Sequence, residues 1–382
     1  MLRTRRLAAL ALTVLIAGTT AAGCGSHERG STPQPSGSAT APATATPTTT
    51  PTTTPTTGTP ASGGTAAHPA PAVAARHLLD WSRIKGDTDG TLLSNGSWVL
   101  SVPEDGSSFA LDGGPKGYGG SAPPGFKVND VLLDERWAVV VLQDKEESKP
   151  ERATVYHLGH HGRTWALDGS STAPTTTGGS WTLAGDTLIH ATTRKRSYCE
   201  ARVDLAGRTA QVGYCAPSRH GWNSPILGPG GEAILTFDDA QPSCRTVVSV
   251  HGTTATPFPG VPDCKAAEGA LLAGGAVWAV VPKEKHFEQV RVQARDSTGY
   301  HDLGPGVNGT LTACRGAVYW ARDPATDDGP AQLMRWDGHR LAIVYESGHG
   351  HAFLGQPSCT GSALVASSYS DQRDEAVYTA LH

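Results

Sequence analysis

The sequence contains no apolar run long enough to cross a bilayer as a helix. The longest one covers only residues 7–18, where roughly 20 apolar residues are needed. The chain also lacks a surplus of one charge, since 31 basic and 35 acidic residues are interspersed along it. This balance argues against a nucleic-acid partner. The 3.6-residue period of amphipathic helices is nearly absent, which argues against a two-lobed solute-binding transport protein.

Motifs of catalysis and metal binding are missing as well. The chain has no Gly-x-Ser-x-Gly elbow and no Cys-x-x-Cys spacing, and 87–91 matches the sialidase Asp box once, without its aromatic residue. Two histidine sets are interpreted as polar turn and link residues rather than zinc ligands: His157, His160 and His161, and Glu346, His349 and His351. We therefore predict no catalytic residue, no metal and no cofactor.

The first 23 residues have the pattern of an export signal. Arg3, Arg5 and Arg6 precede the short apolar run, and small residues follow it. The segment Ala21-Ala22-Gly23-Cys24 resembles a bacterial lipobox, which implies cleavage before Cys24 and lipidation of that residue. Ordinary signal cleavage near Ala22 is the alternative. The expected location is the extracytoplasmic face of the cell membrane, with the chain held by a lipid anchor.

Residues 24–75 are rich in Ser, Thr, Pro and Ala, as in TPTTTPTTTPTTGTP at 46–60. This composition offers almost no large apolar side chain to offset the entropy of ordering, so it predicts a disordered linker. At roughly 3 Å per residue, such a linker reaches on the order of 150 Å. Residues 76–382 are then the folded domain.

Six cysteines follow Cys24, an even number that favours disulfides in an oxidising compartment. Cys199 and Cys215 are symmetric about Gly207, as residues facing each other across a hairpin are. Cys244 and Cys264 flank a second turn, near Gly252. By elimination, Cys314 pairs with Cys359, and each precedes a turn glycine by two residues.

A pattern of an apolar segment, a tight turn and a strongly apolar strand occurs seven times. The turn residues are Gly96, Arg136, Gly185, Gly230, Gly275, Gly316 and Gly361. Their spacing of about 40 to 49 residues is that of propeller blades with four strands each. We predict an all-β fold: a seven-bladed β-propeller of four-stranded antiparallel blades. Six or eight blades are the nearest alternatives, and a tandem of β-sandwiches is the rival fold.

The chain ends one strand short of a seventh blade. The apolar segment 77–84 has no blade of its own, so we expect it to supply the outer strand of the last blade and to close the ring. The segment ILGPGGEAILTF at 226–237 resembles the turn signature of TolB-like and WD40-like bacterial propellers, with Gly230 where that signature has Asp. The resemblance implies the propeller fold and leaves the function open.

Charged loops follow the second strand of the repeats, and in a propeller these loops share one face with the links between blades. We predict that this face recognises an envelope protein or glycan, which makes the protein a binding or scaffold module. The residues predicted to bind are Glu146, Lys149, Arg194, Lys195, Arg196, Asp238, Asp239, Lys283, Lys285, Asp327, Asp328, Asp371 and Arg373. An envelope glycan hydrolase or lyase is the alternative, and carboxylates or arginines around a pocket at the channel mouth would indicate it.

Overall fold

A computed structural model describes residues 70–382 except 115–116 and 160–162. The predictions for the signal sequence, Cys24, His160 and His161, and for the linker up to residue 69, lie outside the described residues. Within the described part, no helix has the length and apolarity needed to cross a membrane. The described chain is built from strands and one 3₁₀ turn at Glu284–His286.

Three two-residue strands come first: β1 (Ala70–Pro71), β2 (Ala75–Arg76) and β3 (Ser82–Arg83). Seven sheets then follow in chain order, each forming one blade. Blade 1 contains β4 (Thr91–Ser94), β5 (Trp98–Val102), β6 (Ser108–Gly113) and β7 (Tyr118–Ser121), and blade 2 contains β8 (Phe126–Leu133), β9 (Trp137–Asp144), β10 (Arg152–His157) and β11 (Thr164–Leu167). Blade 3 contains β12 (Thr182–Ala184), β13 (Thr187–Arg194), β14 (Ser197–Asp204) and β15 (Thr209–Cys215), and blade 4 contains β16 (His220–Gly228), β17 (Gly231–Asp238), β18 (Arg245–His251) and β19 (Thr254–Pro257).

Blade 5 contains β20 (Ala266–Leu272), β21 (Gly275–Val280), β22 (Gln289–Asp296) and β23 (Gly299–Val307). Blade 6 contains β24 (Thr312–Cys314), β25 (Ala317–Arg322), β26 (Gln332–Trp336) and β27 (Leu341–Glu346), and blade 7 contains β28 (Phe353–Leu354), β29 (Ser358–Cys359), β30 (Ala363–Tyr369) and β31 (Glu375–Ala380). Consecutive strands in a blade pair antiparallel, except that β28 and β29 both pair with β30. The fold is a seven-bladed β-propeller, which confirms the predicted class.

The core lies between blades, and the second strands explain why. In β9, Ala138 and Val140 pack against blade 1, whereas Trp137, Val139 and Val141 pack against blade 3. Both faces of the strand are therefore covered by neighbours. A strand covered on both faces has no polar side, so its sequence is continuously apolar instead of alternating.

The segment 70–84, which we call the strap, runs along the outside of blades 5, 6 and 7. β1 adds to β23 and β2 adds to β27, both in parallel, so blades 5 and 6 have five strands. β3 pairs antiparallel with β31 as the outer strand of blade 7. Only Ser82–Arg83 of the expected strand 77–84 makes this ladder, because residues 77–81 lie along β27 instead. Residues 70–75, predicted as linker, contact blades 5 and 6 in this way.

Backbone and side-chain bonds hold the strap. The amide N–H groups of His77 and Leu79 donate to Ile343 and Val344 carbonyls at 2.9 and 3.0 Å. The indole of Trp81 donates to the same Val344 carbonyl at 2.9 Å. These bonds satisfy the edge of blade 6, which would otherwise offer unpaired groups to another strand.

The antiparallel order gives the ring two different faces. The short turns between first and second strands, and between third and fourth strands, lie on what we call the turn face. The loops between second and third strands, together with the links between blades, lie on the loop face. Contacts between them follow this rule, since Asp239 N donates to Arg219 O at 3.1 Å and Val281 N donates to Lys265 O at 2.8 Å.

All three predicted disulfides are confirmed. Cys199–Cys215 joins β14 to β15, and Cys244–Cys264 joins a loop of blade 4 to the link that follows. Cys314–Cys359 joins the innermost strands of blades 6 and 7. Two of the bridges therefore brace the loop face, and the third ties two blades together beside the channel.

Candidate functional site

The loop face gathers the residues that the sequence predicted for binding. All of them lie in the loops between second and third strands or at the adjoining strand ends. Six have exposed side chains with no hydrogen-bond or ion-pair partner among the described residues: Glu146, Arg194, Lys195, Arg196, Lys283 and Lys285. They are available to a partner without breaking an existing contact.

Other predicted residues hold the loops in place. Asp238 Oδ1 accepts the backbone N–H of Cys244 at 2.7 Å, so this carboxylate shapes its own loop. Lys149 pairs with Asp144 at 3.3 Å, and Arg373 pairs with Glu375 at 2.9 Å. These groups are less free to bind than the sequence suggested.

The remaining predicted residues connect loops to links. Asp239 accepts from Arg219 at 2.7 Å. Asp371 lies 2.8 Å from His351 Nδ1 and raises the pKa of that histidine, with Asp327 and Asp328 adding to the effect. The Asp327 and Asp328 carbonyls contact the His351 amide and His349 Nδ1 respectively. The loops of blades 6 and 7 are thereby joined.

Glu346 forms no hydrogen bond with His349 or His351, the two histidines considered with it as zinc ligands. Glu346 accepts from Arg76 at 2.9 Å and from Gln332 at 3.1 Å, on the strap side of blade 6. No group of three metal-ligating side chains occurs among residues 70–114, 117–159 and 163–382.

A basic hairpin tip stands out in blade 3. Lys195 and Arg196 form the two-residue turn between β13 and β14 with φ of 49° and 71°. Left-handed backbone at non-glycine residues costs about 1–2 kcal/mol each. The Cys199–Cys215 bridge lies in the same hairpin, where Cys199 pairs with Thr192. The strained turn therefore sits on a covalently braced support.

Two exposed phenylalanines on the loop face escaped sequence analysis. Phe353 is 50% exposed and stacks on Tyr369 with ring centroids 4.8 Å apart. Phe287 is 38% exposed, with the Arg245 guanidinium 4.6 Å from its ring centre. The other exposed large apolar side chains of the described chain, Val73 and Leu78, lie on the strap. Phe287 lies in a loop and Phe353 in the two-residue strand β28, and neither segment is long enough for a periodic pattern to signal exposure.

The central channel contains a cavity of about 980 Å³. Its wall comes from the innermost strands of blades 1, 2, 3, 4, 6 and 7. Blade 5 contributes no residue to this wall, and β16 of blade 4 lies close to β24 of blade 6. A Cβ on Gly228 would come within 3.3 Å of the Ala313 side chain.

The turn-face mouth of this cavity carries charged residues from distant blades. Glu135 of blade 2 pairs with Arg315 of blade 6 at 3.2 Å, and Arg315 has a φ of 45°. Asp134 accepts the backbone N–H groups of Gly185 at 3.1 Å and Glu135 at 2.6 Å, while its burial raises its pKa. Carboxylates and arginines at the channel mouth were expected if the protein is a glycan hydrolase or lyase. Here, however, Asp134 and Glu135 each already have a hydrogen-bond or ion-pair partner.

A second charged group lies in the wall between blades 3 and 4. Arg202 donates to Glu232, and its Nε lies 3.7 Å from Glu200. Both glutamates are buried, at 1% and 2% exposure. Burial, followed by the charge of Glu232, raises the pKa of Glu200 to about 8. Glu200 therefore stays protonated and donates a hydrogen bond to the Glu232 carboxylate. The trio of one guanidinium, one carboxylate and one carboxylic acid is neutral.

Comparison with known proteins supports the fold. No family model matches the sequence, and no curated protein matches it. The β-propeller domain of the Trilobed protease from Pyrococcus furiosus is similar at 9% identity, with a TM-score of 0.53 over 75% of this chain and 94% of that one. Acylaminoacyl peptidase from Pyrococcus horikoshii gives 8% identity and a TM-score of 0.50 over 77% of this chain and 52% of that one. TolB from Acinetobacter baumannii gives 9% identity and a TM-score of 0.40 over 76% and 78%.

This chain therefore spans about half the length of the acylaminoacyl peptidase. At identities this low, the first two matches show the shared fold alone. The protein is thus a β-propeller protein, with a strap along three blades and three disulfides.

Proposed function

We propose that the protein is a lipid-anchored, extracytoplasmic binding module whose loop face docks a protein of the cell envelope. The main support for this proposal is that Phe287 and Phe353 are exposed on the same face that holds the unpaired charged side chains of the loops. Aromatic anchors surrounded by polar and charged groups are typical of protein interfaces. Three disulfides agree with an oxidising compartment.

The direction of the strap supports the choice of face. β1 runs parallel to β23, and Ala70 pairs with His301 near the turn-face end of that strand. The chain therefore enters blade 5 from the turn-face side. The strap pairs with the outer edges of blades 5 to 7, so it does not cover the loop face.

Rigidity supports the same reading. The bridges Cys199–Cys215 and Cys244–Cys264 restrain two of the loops before any partner arrives. Preorganised loops lose less entropy on binding, which favours affinity. A surface that served only solubility would gain nothing from this bracing.

The test is in-cell crosslinking and affinity capture of the full chain, followed by mass spectrometry. We expect a discrete envelope protein from wild type, and its loss from a variant with Phe287→Ser and Phe353→Ser. Val73→Ser with Leu78→Ser is the matched control, since it removes two apolar side chains from the strap that are at least as exposed as Phe287. Direct binding is then measured with the purified partner and the same variants.

Equal capture by all three proteins would contradict the proposal, and glycan recovered in place of protein would redirect it. The anchor is tested separately by Cys24→Ser. We expect this variant to leave the membrane fraction, and unchanged membrane retention would contradict lipidation at Cys24.

A further inference from the structure

The cavity in the channel has properties that the proposed loop-face docking does not use. Its volume of about 980 Å³ lies at the upper end of the range for small-molecule sites, roughly 300–1,000 Å³. Leu183, Ile226 and Leu227 supply apolar wall, and Trp181 lines it as well. An apolar wall with a few polar groups is the usual composition of a ligand site.

Four of the five charged residues on the wall form ion pairs, and the fifth, Asp134, accepts only backbone N–H groups. Glu135 pairs with Arg315, and Arg202 pairs with Glu232. A charged ligand would have to displace one member of a pair and leave the other without its counterion, which is costly for the buried Glu232 and less so for the half-exposed Glu135 and Arg315. A neutral ligand avoids this cost.

Both guanidinium groups still have donors to offer. An arginine carries five N–H donors. Arg315 uses only its Nη2 within the described residues, and Arg202 likewise donates only through Nη2. A neutral ligand with oxygen acceptors can therefore bond to both arginines while their ion pairs persist.

Uncharged polar side chains complete the wall. Thr312 and Thr360 are occupied, since they donate to the Pro357 and Ser94 carbonyls at 2.7 Å each. Four others have no side-chain hydrogen-bond partner among the described residues: Thr182, Thr187, Gln356 and Ser358. Hydroxyl and amide groups both donate and accept, so they suit a ligand that carries many hydroxyls.

From this set we propose that the channel cavity binds a neutral saccharide of one or two rings, entering from the turn face. Ring hydroxyls accept from Arg315 and Arg202 and exchange hydrogen bonds with the four free polar side chains. The apolar faces of the rings contact Leu183 and Ile226. The ion pair between Glu135 and Arg315 stands at the entrance and orients the guanidinium toward the ligand.

The experiment is calorimetric titration of the full chain with glucose, N-acetylglucosamine, cellobiose and chitobiose. Glucuronate and glucosamine are the charged counterparts. The tryptophan fluorescence of the protein provides a second readout. We expect at least one neutral sugar to bind with a Kd below about 10 mM, and each charged counterpart to bind at least tenfold more weakly than its neutral parent.

Two matched pairs of variants locate the site. Arg315→Gln should weaken sugar binding about tenfold, the usual effect of losing one charge-assisted hydrogen bond. Arg219→Gln is its control, because Arg219 also has a positive φ and an exposed carboxylate partner, but lies on the loop face. Thr182→Phe should fill the cavity and abolish binding, whereas Thr209→Phe on the outer strand β15 should not.

Thermal unfolding of each variant separates loss of binding from loss of fold. The proposal is overturned if no sugar of the panel binds, if glucuronate binds more tightly than the neutral sugars, or if a folded Thr182→Phe variant binds like wild type. Whether the loop face captures an envelope protein does not affect the outcome of these sugar-binding measurements.

Discussion

The acid pair between blades 3 and 4 makes a quantitative prediction about stability and pH. Burial and the charge of Glu232 raise the pKa of Glu200 from an ordinary 4.5 to about 8 in the folded protein. In the unfolded chain, Glu200 returns to its ordinary value. At the Glu200 site, the folded protein therefore holds one more proton than the unfolded chain between about pH 4.5 and pH 8.

The sign follows from this proton difference. Because the folded state binds the extra proton, its stability falls as pH rises. The contribution of Glu200 is complete below pH 4.5, decreases through the interval, and is lost once pH passes the folded value of about 8. At about 1.4 kcal/mol per pH unit, the total change is on the order of 3–5 kcal/mol.

Glu200→Gln tests this reasoning, because a glutamine amide keeps a hydrogen-bond donor to Glu232 and cannot ionise. We expect Glu200→Gln to match wild type near pH 5 and to exceed it by several kcal/mol near pH 8.5. Urea unfolding followed by tryptophan fluorescence measures the difference. With an m-value of about 3 kcal/mol/M, the midpoint should differ by roughly 1 M at the alkaline end.

Glu146→Gln is the control, since Glu146 is exposed and should change stability by no more than about 0.5 kcal/mol at any pH. A Glu200→Gln variant that keeps the wild-type slope, or that loses the same stability at every pH, would refute the shared-proton account.

Two further predictions concern the interior. Replacing Cys314 and Cys359 by alanine should cost about 4 kcal/mol, because the bridge closes a loop with a sequence separation of 45 residues; the hairpin bridge of blade 3, with a separation of 16, should cost about 3 kcal/mol by the same relation. Equal midpoint shifts in urea would contradict this order. His190 is fully buried, and burial lowers its pKa to about 4, so stability should decline as pH falls from 6.5 to 4. His190→Leu should remove this loss of stability at acid pH, as measured by the same unfolding assay. An unchanged loss in the variant would contradict its attribution to His190.

The repeat could be found in the sequence because its turns require particular backbone. Gly96, Gly185, Gly316 and Gly361 all adopt positive φ between 57° and 88° where the first strand turns into the second. Glycine adopts this conformation without steric cost, so the requirement appears at a regular spacing. The apolar second strands add a second periodic mark, since both of their faces are buried.

The strap could not be predicted in the same way. Its first strands, Ala70–Pro71 and Ala75–Arg76, have neither β-branched residues nor an alternating pattern. They pair because β23 and β27 present free edges, a property of the folded ring rather than of the strap sequence. Composition alone assigned these residues to the linker.

The cavity was hidden for a related reason. Glu135 and Arg315 are 180 positions apart, and Arg202 and Glu232 are 30 apart on different blades. Each is an ordinary charged residue in its own segment. Only closure of the ring brings the blade 2 and blade 6 turns together, so no local pattern marks the pair.

The two proposed sites lie on opposite faces of a rigid ring, and this separation has a consequence for both. The cavity opens among turn-face residues such as Arg315 and Gly361, on the side where the strap enters blade 5. Phe287 and Phe353 lie on the other face, so a docked protein does not cover the cavity mouth. If both proposals hold, a saccharide and a protein can be held at once on opposite faces of the ring. Since neither face shares a residue with the other, Arg315→Gln tests the cavity and Phe353→Ser tests the docking face, and failure of one proposal leaves the other standing.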